Sequence, residues 1–348
     1  MSKKFGCFLT LVFVFCAYAL HPAAAQDTAG DSDSARLNTI HYGTETEIAT
    51  LIQSLHNEKT DALDNELITL VETTRNRNIL RGVFAFFGER SKSGLEDRAI
   101  RAIDERDEET NETVIAAVDY LGLVKAGQAK ESLCRLINTK ERRFMVPAIR
   151  ALGRAAAADE DTAGEVAEFL ADYYTIDDPP DEYRRDIIIA IGETGSPLGT
   201  PFLVEMASNI ELRVALRMAA LEALSKIGDE QGLAAIVSAV SDVDPNVRSS
   251  AVASLGPFTG EVVDKAILEA FRDSYYRTRI GAAQASRIRK LEEAIPYLKF
   301  RAERDDVPQV KDEAIRALGA IGTGEAQSIL AALFDERKNP DPVRIRSA

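Results

Sequence analysis

Apolar side chains recur along this chain on one face of a helix at nearly constant intervals. Counting back nine, five, two and one positions from Gly319 gives Val310, Ala314, Ala317 and Leu318; from Gly256, Val247, Ala251, Ser254 and Leu255; from Gly192, Tyr183, Ile187, Ala190 and Ile191. That is the i, i+4, i+7, i+8 spacing of one α-helical face. The phrases Ile315-Arg-Ala-Leu-Gly319, Ile149-Arg-Ala-Leu-Gly153, Val252-Ala-Ser-Leu-Gly256 and Ile188-Ile-Ala-Ile-Gly192 are copies of one another, and weaker copies end at Gly88, Gly122, Ser225 and Arg287. The intervals between these anchors are 34, 31, 39, 33, 31, 31 and 32 residues. After each anchor comes a short polar or glycine turn, then a second apolar helix such as Gly232 to Val240 or Glu325 to Phe334. Helix starts carry the expected caps: Asp244-Pro245 places an acid at the cap and proline in the first turn, where a missing amide hydrogen costs nothing. No stretch shows the period-2 alternation of a sheet, so the pattern predicts an all-α chain of helical hairpins.

A hairpin of about 32 residues cannot bury its apolar face alone, so successive copies must stack into an α-α superhelix, a solenoid of about nine hairpins. At the usual ~8–10 Å helix spacing the stack would be a curved rod on the order of 80 Å long, with a long concave wall. The solenoid is placed at residues 44–348, with a degenerate first unit at 44–74 and a polar, flexible lead at 26–43. Asp341 to Ala348 opens a further first helix without finishing it. An incomplete last unit exposes the core, so either the sequence is truncated or end-to-end self-association or a partner covers that end.

Composition alters this picture at the N-terminus first. Lys3-Lys4, the apolar run Phe5 to Leu20 and Ala23-Ala24-Ala25 ahead of Gln26 have the order of an export signal, so residues 1–25 read as a cleaved signal peptide. The apolar run is shorter than the roughly 20 residues of a spanning helix, which argues against a retained anchor. A lipid anchor on Cys16 is disfavoured by the bulky Phe15 before it. Cleavage removes Lys3, Lys4, Cys7 and Cys16, moves the formal charge from −14 to −16 and leaves Cys134 as the only cysteine. A lone cysteine forms no internal disulfide, so packing must hold the mature chain together. Cys134, in an apolar run, reads as a buried small hydrophobe, with a reactive thiol as the second reading. Against 42 Lys and Arg stand 56 Asp and Glu, which places nucleic acid outside the expected partners. The expected location is the periplasm or the exterior.

The phrase Asp-Pro-x-Val-Arg-x-x-Ala-x-x-x-Leu-Gly, running from Asp244 to Gly256, resembles the HEAT repeat, in particular the short HEAT-like type also found in phycobilisome lyases. The likeness covers the chain from about Asn76 onward and is best from Asp181. It implies a protein-binding scaffold and carries no catalytic residues with it.

Two sets of residues stand out as candidates. Eight positions before the anchors lie Arg184, Arg217, Arg248, Arg279 and Lys311, and Arg344 begins a further copy. Upstream the same position holds Met145, Val114 and Leu80. The preferred reading of this basic column is structural, each base pairing with acids of its own or the next unit; anion capture is the second. The 39-residue interval contains an insertion, Tyr173-Tyr174-Thr-Ile-Asp177-Asp178-Pro179-Pro180, and a second tyrosine pair, Tyr275-Tyr276, marks a similar boundary. Two readings remain open: rings that cap the core at a turn, or exposed rings beside acids at a partner-binding edge. Tyr173, Tyr174, Asp177, Asp178, Tyr275 and Tyr276 are the candidate partner-binding residues.

Acidic clusters at Glu105 to Glu109 and Asp159 to Asp161 lack the glycine-centred spacing of a calcium loop and read as solvated turns. There is no nucleophile elbow, phosphate loop or paired-cysteine motif, and Gly319 to Gly324 is a repeat turn. HEAT-built hydroxylases use His-Glu metal pairs, whereas His41 is followed by Tyr42 and His56 by Asn57. The sequence therefore points to an exported, non-catalytic scaffold without cofactor or metal that binds a protein partner and keeps no stable transmembrane anchor after cleavage. A HEAT-built enzyme, such as a chromophore lyase or a hydroxylase, and a structural component of the cell envelope are the alternatives.

Overall fold

The computed structural model describes residues 27–58 and 60–335. The expected signal peptide at 1–25, Cys16 and the expected further copy beginning at Arg344 lie outside these residues. The described secondary structure is helical throughout, with no strand. The chain divides into two compact units, which meet between Leu70 and Val71.

The first unit holds α1 (Asp27–Tyr42), α2 (Glu45–Glu58) and most of α3 (Asp64–Thr73). Residues 27–42, read from the sequence as a flexible lead, are helical, and Ile40 joins Ile48, Ile52, Leu55, Leu63 and Leu67 in a small core. The start of α2 is a capping box: the Thr44 amide donates to Glu47 at 2.7 Å and the Glu47 amide donates to the Thr44 hydroxyl at 3.3 Å. Arg36 donates to Glu58 at 2.7 Å and so ties α1 to the end of α2.

The second unit is the solenoid. Its pairs are α4 (Arg77–Glu89) and α5 (Glu96–Asp104), α6 (Asn111–Leu123) and α7 (Lys130–Asn138), α8 (Arg142–Ala156) and α9 (Glu160–Thr175), and α10 (Asp181–Thr194) and α11 (Thr200–Ser208). They continue with α12 (Val214–Ile227) and α13 (Glu230–Ala239), α14 (Pro245–Ser254) and α15 (Glu261–Ala270), α16 (Tyr276–Arg289) and α17 (Ile295–Arg304), and α18 (Pro308–Ile321) and α19 (Gly324–Asp335). Each anchor falls in or just after the first helix of its pair. The positions picked out by the apolar spacing are buried: Val310, Ala314, Ala317 and Leu318 in α18, and Tyr183, Ile187, Ala190 and Ile191 in α10. The Asp244 cap forms as the sequence indicates, its carboxylate accepting from the Asn246 amide at 2.8 Å.

Successive first helices pack on one another, more closely than successive second helices do. At Gly122, Gly153 and Gly192 the anchor glycine meets the alanine two positions before the next anchor, whereas Gly88 meets Tyr120 and Leu123 and Gly256 meets Ile288. A Cβ on Gly122 would stand 2.8 Å from Ala151 Cα, one on Gly153 2.5 Å from the Ala190 carbonyl oxygen, and one on Gly192 2.6 Å from Ala223 Cβ. These approaches are too short for any side chain, so the Ala-x-Gly phrase sets the helix spacing.

Candidate functional site

The tyrosines of the insertion are not exposed. Tyr173 and Tyr174 keep 3% and 6% of their accessible surface, which fits rings that cap the core at a turn and not exposed rings at a partner-binding edge. They complete the buried face of α9, which runs Val166, Leu170, Tyr173, Tyr174 with the same i, i+4, i+7, i+8 spacing as the anchored helices. Tyr173 stacks on Phe169 at 6.3 Å, and Tyr174 sets its edge against Phe202 of α11 at 5.1 Å. The acids beside them are exposed but engaged. Asp177 accepts from Lys140 at 2.9 Å, and Asp178, at φ 47°, accepts from Arg184 at 2.5 Å. The loop is thereby tied to the hairpins on both sides of it.

Tyr275 and Tyr276 are half-buried at the start of α16, in a separate hairpin. Tyr275 donates its hydroxyl to Asn246 at 2.9 Å, the two rings meet edge to face at 5.4 Å, and Arg277 donates to the Tyr276 hydroxyl at 3.2 Å. The insertion and this corner do not come together as one site.

The basic column is closed onto carboxylates of the chain itself. Arg217 donates to Asp242 at 2.5 Å, Arg248 to both oxygens of Asp273 at 2.9 and 3.2 Å, and Arg279 to both oxygens of Asp305 at 2.8 Å. Each acid lies 25 or 26 residues after its arginine, in the turn that leads into the next hairpin. Each also accepts from the amide two residues on: Asp244 at 2.9 Å, Tyr275 at 2.7 Å and Val307 at 3.0 Å. Arg248 and Arg279 reach back as well, to the carbonyls of Asp242 and Val243 and of Asp273 and Ser274. One guanidinium thus clamps the turn before its own helix to the turn before the next. Burial works against ionisation of Asp242, Asp273 and Asp305, yet the arginine and amide hydrogen bonds hold all three carboxyls below the usual range.

The ends of the column depart from this scheme. Twenty-five residues after Arg184 stands Asn209, which keeps the turn by accepting from the Glu211 amide at 3.0 Å but offers no charge. Arg184 turns back instead to Asp178 and the Pro179 carbonyl, with its guanidinium 5.1 Å from the centre of the Tyr174 ring. Among the described residues Lys311 reaches only the Glu303 carbonyl, at 3.4 Å.

Two of the surface clefts among the described residues bear on a site and were not anticipated from the sequence. The larger, about 390 Å³, is lined by Arg272, Pro296, Tyr297, Phe300 and Arg301. A polar one of about 150 Å³ lies along α8 and α10 beside the Arg150–Asp186 pair, which is 2.8 Å apart. The signal for the first was present: Pro296, Tyr297, Phe300, Arg301 and Arg304 follow helical spacing on the face of α17 opposite the buried Ile295, Leu298 and Ala302. The wall contributed by Arg272 has no such local signal.

Among the described residues no three His, Cys, Asp or Glu side chains gather as metal ligands. Burial pushes the Cys134 thiol up to about 11, so it is protonated at neutral pH and a poor nucleophile. Among the same residues no helix is long and apolar enough to cross a membrane.

Comparison with known proteins agrees with the repeat architecture. A family model described as spirochaete HEAT repeat protein matches residues 40–348. Among solved structures, an engineered protein is 16% identical with a TM-score of 0.42, over 93% of this chain and 95% of that one. A Kap121p mutant is 12% identical with a TM-score of 0.49, over 91% of this chain and 41% of that one. A comparison with curated proteins returns no match.

Proposed function

The chain belongs to the spirochaete HEAT repeat protein family, and from that premise we propose that it is an exported, non-catalytic scaffold that holds a protein partner on its helical surface. HEAT-type stacks present long ordered faces assembled from many short units, and they are used mainly to bind other proteins. The observation that carries the reading is the commitment of Arg217, Arg248 and Arg279, buried or half-buried, to internal clamps. Those charges order the stack rather than point at a ligand, and the side chains left for recognition lie on the outer surfaces of the pairs.

The export half of the proposal rests on Lys3-Lys4, the apolar run to Leu20 and the alanines at 23–25. N-terminal sequencing of the protein recovered from cells tests it: a mature chain starting at Gln26 in the periplasmic or extracellular fraction is the expected result, and an uncleaved cytosolic chain overturns it. For the scaffold half, the purified protein immobilised on beads should capture a stoichiometric partner from an envelope fraction. Failure to retain any protein after a moderate-salt wash would count against it.

A further inference from the structure

Between Arg272 and Arg304 the sequence holds nine bases and four acids, in a chain that elsewhere carries 33 bases and 52 acids. Several of these bases are spent internally: Arg279, Arg287 and Arg289 pair with Asp305, Glu313 and Asp264. Arg272 and Arg304 are exposed and have no carboxylate partner among the described residues. Arg272 stands at the rim of the larger cleft, its guanidinium 5.6 Å from the centre of the Tyr297 ring. The Tyr297 ring is itself held in place by stacking on buried Phe271 at 5.7 Å. Phe300 keeps 55% of its surface exposed beside it, and Arg301 is fixed by bonds to the Phe271 carbonyl and to Asp305. Arg304 follows Phe300 one turn later on the same helix face. The result is a preformed aromatic floor with one unneutralised guanidinium over it and another beyond it.

We propose that this cleft docks an acidic peptide segment of a protein partner that inserts an aromatic or aliphatic side chain against Tyr297 and Phe300 while a flanking carboxylate pairs with Arg272. This deepens the scaffold reading and rests on it. A cavity of about 390 Å³ accommodates one or two large side chains, and aromatic and arginine anchors of this kind dominate binding at protein interfaces. An anionic lipid surface or a nucleic acid would need a broad basic face, whereas the acid surplus outside this window repels both.

The test uses the mature full-length protein and a fluorescein-labelled peptide, Glu-Asp-Phe-Glu-Asp-Leu-Glu-Asp-Phe, followed by anisotropy. Saturable binding should weaken about tenfold or more in Phe300→Ala and in Arg272→Glu, and several-fold when salt rises from about 50 to about 300 mM. Lys265→Glu, the same charge change on α15 outside the cleft, should bind as the wild type does. Thermal melting of each variant should be unchanged, since both cleft side chains are exposed. The proposal is overturned if the wild type does not bind this peptide, if a Ser-for-Phe and Ser-for-Leu version binds equally well, or if Lys265→Glu loses as much as Arg272→Glu. It is overturned in favour of a lipid surface if phosphatidylglycerol vesicles bind through the same two residues and the peptide does not. Envelope capture with Arg272→Glu separates this failure from that of the scaffold reading. Equal capture by wild type and variant, with no peptide binding, removes the cleft and leaves the scaffold; no capture by the wild type removes the scaffold.

Discussion

The N-terminal and C-terminal hairpins of the solenoid build the same stack with different chemistry at one position. In α4, α6 and α8 the residue eight places before the anchor is Leu80, Val114 or Met145, all buried, and the core around them is rich in rings: Phe84, Phe86, Phe87, Tyr120 and Phe144. In α12, α14 and α16 the same place holds Arg217, Arg248 and Arg279, each clamped to the turn of the next hairpin. Hydrophobic burial is non-directional and tolerates some sliding between helices. A bidentate guanidinium does not, because its two hydrogen bonds fix angle as well as distance. The clamps therefore set the register between hairpins where aromatic packing is sparse, and they do so from the very position that is apolar in α4, α6 and α8.

Removing one side of a clamp should have the largest effect. Asp305→Ala takes the buried carboxylate from both Arg279 and Arg301 and leaves Arg279 only the exposed Asp306 at 3.2 Å, and calorimetry should show a loss of about 3–5 kcal/mol, with hydrogen exchange accelerating first in α16 to α18. Asp242→Asn is a finer probe, because asparagine at the equivalent Asn209 already keeps the turn. The variant should lose about 2–4 kcal/mol through the stranded Arg217 charge alone. Adding Arg217→Met copies the N-terminal solution found at Met145 and should restore stability to within about 1 kcal/mol of wild type. A double variant no more stable than Asp242→Asn would mean that the two halves are not interchangeable in the way argued.

The anchor glycines offer a second comparison of smaller size. Gly153→Ala puts a methyl group 2.5 Å from the Ala190 carbonyl and should cost about 1–3 kcal/mol by forcing α8 and α10 apart. Gly319 occupies the same place in its repeat, but no atom of the described residues lies within 4 Å of its Cβ position. There the same change should be neutral or stabilise by up to about 1 kcal/mol through helix propensity. Equal losses at both positions would show that the glycine serves helix geometry rather than close approach.

How far the sequence led depends on whether a property is local. The hairpins, their anchors and their buried faces follow from spacing within one helix, and all were legible. That the column's bases pair with acids of their own or the next unit was legible too; which acid each takes was not, since it sits 25 or 26 residues away in a turn whose position only the folded pair defines. Tyr173 and Tyr174 stayed open between two readings for a related reason. Their spacing from Val166 and Leu170 already marked them as core, but an insertion with adjacent acids looked like a surface edge, and the ring that covers Tyr174, Phe202, belongs to the next hairpin. In α17 Tyr297 and Phe300 lie on the face opposite buried Leu298, a local signal that was present but passed over, while the cleft they floor is closed on one side by Arg272 from the preceding hairpin, which has no local signal. The helical lead at 27–42 was missed because its composition is polar and its order depends on contacts with α2.

Acid separates the two halves with the smallest effect at neutral pH. Asp242, Asp273 and Asp305 have folded pKa values below their usual ones, because burial is outweighed by the arginine and amide hydrogen bonds. A carboxyl whose pKa is depressed on folding contributes stability that is fully present above the unfolded value, about 3.9 for Asp, and is lost as pH falls below it toward the folded value. Between pH 8 and about pH 5 the clamps should therefore hold, and below about pH 4 the C-terminal hairpins should open first. The corresponding positions of the N-terminal hairpins, Leu80, Val114 and Met145, bind no proton at any pH. Pulse-labelled hydrogen exchange across an acid titration would follow the two halves separately: protection in α12 to α18 should fall before that in α4 to α8. Simultaneous loss would show that acid acts through net charge on the whole stack rather than through the clamps.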